Sequence, residues 1–142
     1  MNVYLDIDGP LIRIRDGKPT AHCFDFLRWA VEIHRPYWLT TRNAQGEHAG
    51  IIRAFRHAIG CAELPSEIEA LLRAVRPTRW SGTKTSGIDL ASDFVWIDDA
   101  PLAVEKEILR ARDLLDRLII VDTDDALLRA ADVIGSRLAA SP

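Results

Sequence analysis

The chain has 142 residues, 48% of them hydrophobic and 27% charged, with a formal net charge of -3. That length suits a single domain, 1–142, whose core needs no staples. The acidic balance supplies no global field to draw nucleic acid or an anionic membrane. The charge is uneven, however: residues 1–60 carry eight Lys/Arg against six Asp/Glu, and residues 61–142 carry ten against fifteen. Cys23 and Cys61 form neither a metal-ligand spacing nor a disulfide framework, which favours a reducing compartment. No apolar run approaches the roughly 18 residues of a membrane span, and no secretory pattern opens the chain. A cytoplasmic protein without membrane contact is expected.

In chain order, Val3-Tyr4-Leu5-Asp6-Ile7-Asp8-Gly9-Pro10-Leu11 is an apolar run that carries two carboxylates into a Gly-Pro break. Such a run predicts a strand buried inside a sheet. Asp6 and Asp8 point the same way from an ideal strand, a costly pair unless a cation compensates. Leu11-Ile12-Arg13-Ile14-Arg15 followed by Asp16-Gly17 reads as a small β-hairpin over about 11–20, a flap beyond the two acids. Phe24 to Ile33 predicts a helix burying Phe26, Leu27, Ala30 and Ile33, with Asp25 in its first turn.

Tyr37-Trp38-Leu39-Thr40-Thr41-Arg42-Asn43 is a second apolar run, ending in hydroxyls and an Arg. Glu47 to Ile59 predicts a helix with Ile51, Ile52, Phe55 and Ile59 inward, closed by Gly60. Ser66 with Glu69 suggests a capping box for a helix from Glu67 to Val75, ended by Pro77. Arg79 to Thr85 is a polar loop containing Lys84. Phe94-Val95-Trp96-Ile97-Asp98-Asp99 is the third apolar run with a polar end, and Pro101 suits the first position of a helix to about Leu115 that buries Val104, Ile108, Ala111 and Leu115. Leu118 to Val121 predicts a last strand ending at Asp122. Asp124 to Leu138 predicts a last helix, burying Leu127, Ala131, Ile134 and Leu138. Strands alternating with helices imply a three-layer α/β/α sandwich around a parallel sheet.

Singly these motifs are weak. Together, parallel strands would gather Asp6 and Asp8, Thr40, and Asp98 and Asp99 on one sheet edge, with Lys84 from a loop. Carboxylates in two clusters with one hydroxyl and one ammonium suit a divalent cation and a phosphate, and magnesium prefers such oxygen donors.

In this order the four motifs resemble those of the haloacid dehalogenase (HAD) superfamily of phosphohydrolases: Asp6-Ile7-Asp8-Gly9, Thr40, Lys84, and Asp98-Asp99. The patterns around Tyr37 to Thr41, Lys84-Thr85 and Trp96 to Asp99 more particularly resemble small HAD domains associated with bacterial RNA-repair polypeptides. Pro10 departs from the Thr or Val usual there. Only about thirty residues separate the first two motifs and about forty the next two, so the resemblance implies a capless, Rossmannoid member with an open site. An open site suits a large substrate, or a protein partner that completes it.

The resemblance implies a magnesium-dependent phosphatase. Asp6 would attack phosphorus to form an aspartyl-phosphate, and Asp8 would be the general acid and base. Thr40 would hold a phosphoryl oxygen, and Lys84 would neutralise charge on the nucleophile and the phosphoryl group. Asp6, the Asp8 backbone carbonyl, Asp98 and Asp99 would hold the metal. The substrate would be a phosphomonoester: a nucleotide, a nucleic-acid end or a phosphoprotein. A non-catalytic phosphate-binding or regulatory domain of the same fold is the alternative, while the motif order disfavours a two-component receiver. Thr41, Arg42 and Asn43 fit substrate contact and helix capping equally well. Of the four tryptophans only Trp80, beside Lys84, suggests a stacking surface. The four histidines have no metal spacing. Arg13, Arg15 and Arg42 read as solvated, with a polyanionic substrate as the other use of the flap.

Overall fold

A computed structural model describes residues 1–121 and 125–140. Its elements are β1 (Asn2–Leu5), α1 (Cys23–Ile33), β2 (Arg35–Trp38), α2 (Ala49–Ile59), α3 (Ser66–Ala74), β3 (Arg76–Pro77), β4 (Phe94–Asp98), α4 (Ala103–Arg110), β5 (Leu118–Ile120) and α5 (Ala126–Ala140). Short 3-10 turns cover Thr41–Asn43, Lys84–Gly87 and Leu115–Arg117. The strands form one five-stranded sheet in the order β3-β2-β1-β4-β5, every neighbouring pair parallel. The α/β expectation therefore holds, with a Rossmann-like arrangement.

Alternation along β1 and β4 divides the core. Val3, Leu5, Val95 and Ile97 join the inner faces of α1, α2, α3 and α5 in one cluster. Tyr4, Phe94 and Trp96 join Leu109 of α4, with Leu39 and Ile88, in another. The register sets Leu5 beside Ile97, and Asp6 N–H continues the ladder to the Ile97 carbonyl at 3.0 Å. Asp6 and Asp98, one step further on, thus share the α4 side of the sheet. They stand where β1 lies between β2 and β4, the point at which chain order reverses and open α/β sheets leave a crevice.

Several local expectations change. The segment 11–20 folds back on itself, with Arg13 N–H on the Lys18 carbonyl at 2.8 Å, but it holds only isolated bridges and no strands. The Asp16 carboxylate takes both the Arg13 guanidinium and the Lys18 N–H, a side-chain alternative to a ladder. Ser66 lies inside α3 after Pro65 and no capping box forms there, and Arg76–Pro77, expected only to stop the helix, adds the edge strand β3. Ile33 and Ile59 are exposed, while Ala54 and Ala58 join Ile51 and Phe55 on the buried face of α2. Leu138 is exposed and Ala131 partly so.

In α4 the inner face is Glu105 and Leu109 rather than Val104 and Ile108, and the helix ends at Arg110, short of Leu115. Pro101 stands before the cap Leu102. That rotation brings a carboxylate, not a branched aliphatic side chain, against the sheet. The expected strand end at Asp122 and helix start at Asp124 lie outside the described residues.

Candidate phosphate and metal site

At the ends of β1 and β4, Lys84 bridges two buried carboxylates. Its Nζ lies 2.8 Å from Asp6 Oδ2 and 2.6 Å from Asp98 Oδ2. The remaining oxygens have backbone donors: Ile7 N–H to Asp6 Oδ1 at 2.8 Å, and Ala100 N–H to Asp98 Oδ1 at 3.0 Å. Asp99 joins them, so oxygens of Asp6, Asp98 and Asp99 all lie within 4.8 Å of one another. Lys84, placed by sequence position alone, is the cation that this cluster needs.

The electrostatics follow from burial. Desolvation, reinforced by Asp98, pushes the Asp6 carboxyl up to about 6 despite the opposing ammonium. Asp99 is raised by burial and by Asp98. For Lys84, burial acts to lower its value, but Asp6 and Asp98 outweigh it and hold the ammonium above its ordinary range. The three acids and one lysine carry a net negative charge among the described residues, which a hard cation would neutralise.

Glu105 is the residue that sequence reading missed. Its side chain is almost wholly buried; Oε1 accepts Lys84 N–H at 2.6 Å and Oε2 accepts Leu102 N–H at 2.8 Å. It thereby ties the start of α4 to the turn that presents Lys84. A Glu three residues beyond a helix start is the available signal, masked because Leu102, not Ser or Thr, occupies the cap.

Gly9 fixes the other wall. Its φ is +100°, and a Cβ there would stand 2.2 Å from Asp99 Cγ, so neither conformation nor space admits a side chain. The Gly-Pro break therefore seats the β1 loop directly on Asp99.

Asp8 leads a different life from Asp6. It is partly exposed, and Arg42 grips both of its oxygens, with Nε to Oδ2 at 2.9 Å and Nη2 to Oδ1 at 2.8 Å. Arg42 is thus exposed to solvent, as expected, but engaged in an ion pair, and it caps no helix. Its turn, Thr41–Asn43, is pressed against α2, where a Cβ on Gly50 would stand 2.2 Å from the Arg42 carbonyl oxygen. Thr40 is fully buried, and its hydroxyl accepts Arg42 N–H at 3.3 Å as the cap of that turn. Thr41, exposed, is the member of the pair that lines the cleft.

The cleft itself measures about 290 Å³; Asp6, Asp8, Lys84, Asp98, Asp99 and Glu105 line it. Ile14 overhangs from the 6–22 loop, and Trp80 closes the opposite side. Trp80 is partly buried, and its Nε1–H donates to the Thr40 carbonyl at 3.2 Å, so the ring is fixed beside the opening. Trp38 and Trp96 are core. Burial drives the Cys23 thiol up to about 12, which rules it out as a nucleophile at neutral pH. Among the described residues no helix is long and apolar enough to cross a membrane.

No family model, curated protein or solved structure matches this chain.

Proposed function

We propose that the protein is a magnesium-dependent phosphomonoesterase of the HAD type, acting through an aspartyl-phosphate on Asp6. One observation carries the reading: a lysine whose side chain is only 11% exposed joins Asp6 and Asp98 at the ends of adjacent parallel strands, and a third aspartate completes an all-oxygen donor set. Those donors fit a hard divalent cation; Asp6, Asp98 and Asp99, with the Asp8 backbone carbonyl, would hold it. Such a cation supplies charge neutralisation to the transferring phosphoryl group.

The residues then divide the work. Asp6, as its carboxylate, attacks phosphorus while the bond to the leaving oxygen breaks. Asp8 gives its proton to that oxygen. Water next attacks the phosphorus of the aspartyl-phosphate and Asp8 takes a proton from it. The Asp6 oxygen departs, releasing inorganic phosphate and restoring both acids. Lys84 offsets charge on Asp6 and on the phosphoryl oxygens, and Glu105 holds the Lys84 backbone in place. Thr41 supplies a hydroxyl to the cleft and Thr40 orders the turn that carries it.

The test is hydrolysis of an aryl phosphate with magnesium, with EDTA, and by Asp6→Asn. The expected result is turnover only with magnesium, and a loss of at least about 10⁴-fold in the variant. Full activity in Asp6→Asn contradicts the assignment of the nucleophile. Tight phosphate binding without turnover of any phosphomonoester favours the non-catalytic phosphate-binding reading, which the same cluster also accommodates.

A further inference from the structure

A second space, larger than the cleft, opens on the other side of Asp8. The 6–22 loop and α2 enclose about 600 Å³ between them, and Asp8 and Ile14 line this groove and the cleft alike. The two spaces differ in charge. The cleft gathers Asp6, Asp98, Asp99 and Glu105 around one lysine. The groove gathers Arg13, Arg42, Arg53 and His57 around Asp8, over an apolar floor of Ile12 and Ala54.

The basic side chains of the groove are not equivalent. Arg42 is engaged by Asp8 and Arg13 by Asp16. Arg53 and His57 are exposed on α2, and their side chains make no hydrogen bond or ion pair within the described residues. A cation that faces a concave, partly apolar space without a carboxylate partner is a ready anion contact. Arg42 stands at the boundary, where its planar fork can exchange a carboxylate for a phosphate without losing bidentate geometry.

That exchange matters for the chemistry. With both oxygens accepting from Arg42, the Asp8 carboxylate is turned to the guanidinium rather than to a leaving group. We propose that the groove takes a second phosphate of the substrate, which draws Arg42 off Asp8 and so frees Asp8 for proton transfer. The substrate class is a phosphomonoester with another phosphate, terminal or in a diester, a short linker away. This rests on the phosphomonoesterase reading, and Arg42 and Arg53 act in it as positioning residues.

Binding is measured first in the Asp6→Asn protein with magnesium, so that turnover does not intrude. The probes are a nucleoside 5′-monophosphate, the matching 3′,5′-bisphosphate, and a 5′-phosphorylated dinucleotide. The bisphosphate should bind at least about tenfold tighter than the monophosphate, and Arg53→Glu in the same background should erase the advantage. A dinucleotide that shares the advantage identifies a diester as an accepted second group; one that lacks it restricts the groove to a terminal phosphate. Equal affinities, or an advantage that survives Arg53→Glu, overturn the proposal.

Kinetics then test the release of Asp8. With Asp6 intact, kcat for the bisphosphate should exceed that for the monophosphate, and Arg42→Ala should bring the two kcat values together by raising the lower one. A fall in both with the ratio preserved overturns the release. Absence of any hydrolysis overturns the reading of the site as an enzyme, while the binding comparison still decides whether the groove holds a second phosphate.

Discussion

Asp6 and Asp8 are two residues apart, yet the regions that they anchor handle charge in opposite ways. Asp6 and Asp98 are buried at the ends of β1 and β4, strands paired on both sides, with the Lys84 side chain only 11% exposed between them. Asp8 sits past the strand end, and the side chains of its ion pair with Arg42 are 30% and 45% exposed. In the first region water is excluded and each charge is felt strongly; in the second, solvent and salt weaken it. A fixed centre beside an exchangeable one suits a reaction in which one acid must hold a phosphoryl group while the other gives up its partner.

The sharpest way to break this contrast is to remove the ammonium. Lys84→Met leaves Asp6 and Asp98 as buried like charges, and the variant should lose roughly 3 kcal/mol of stability in urea denaturation with EDTA present. Magnesium should restore part of that loss, because a cation again stands among the acids. A variant as stable as the parent at neutral pH, with or without magnesium, would show that the cluster is not electrostatically tense.

A smaller effect comes from Asp6 itself. Its folded-state value, about 6, lies above the ordinary 3.8. The carboxyl therefore contributes its full stability below about pH 4 and loses it as pH rises through about 6. Metal-free Asp6→Asn, which never ionises, should gain on the parent by about 1–3 kcal/mol at pH 7.5 and by nothing near pH 3.5, read from denaturation midpoints across pH. A gain that does not depend on pH would contradict the burial of an ionised Asp6.

The smallest effect belongs to the exposed pair. Arg42→Ala should cost less than about 1 kcal/mol in thermal denaturation, and the difference should shrink further in high salt. A loss as large as that of Lys84→Met would place Asp8 and Arg42 in the fixed region instead.

The same contrast explains what was legible in the sequence. The runs ending at Asp6 and Asp98 are continuous apolar strands legible in the sequence, while the register that pairs Leu5 with Ile97, and so sets both acids on one side of the sheet, is not. Asp-x-Asp-Gly and the Asp98-Asp99 pair could be read before any fold was known. Gly9 was read as a turn; its packing against Asp99 required coordinates, because the contact spans ninety residues.

What escaped was decided by tertiary contact. Glu105 looks like an ordinary surface glutamate of α4 until the helix turns it inward onto the Lys84 backbone. Arg42 is solvated, as read, but its partner Asp8 shows only when the Thr41–Asn43 turn brings the two together. The supposed flap hairpin failed for a local reason, since Asp16 satisfies the turn with its own side chain. β3 is only two residues long, and Pro77 within it reads as a breaker because an edge position cannot be seen in one dimension.

The most direct test of the central claim is to look for the phosphoryl group on Asp6. The protein with magnesium would be mixed with an aryl phosphate, quenched in acid during turnover, digested and mapped by mass spectrometry. The account predicts phosphate on the peptide containing Asp6, absent in Asp6→Asn and absent with EDTA. Steady turnover with no phosphorylated peptide, or phosphate on another residue, would contradict it.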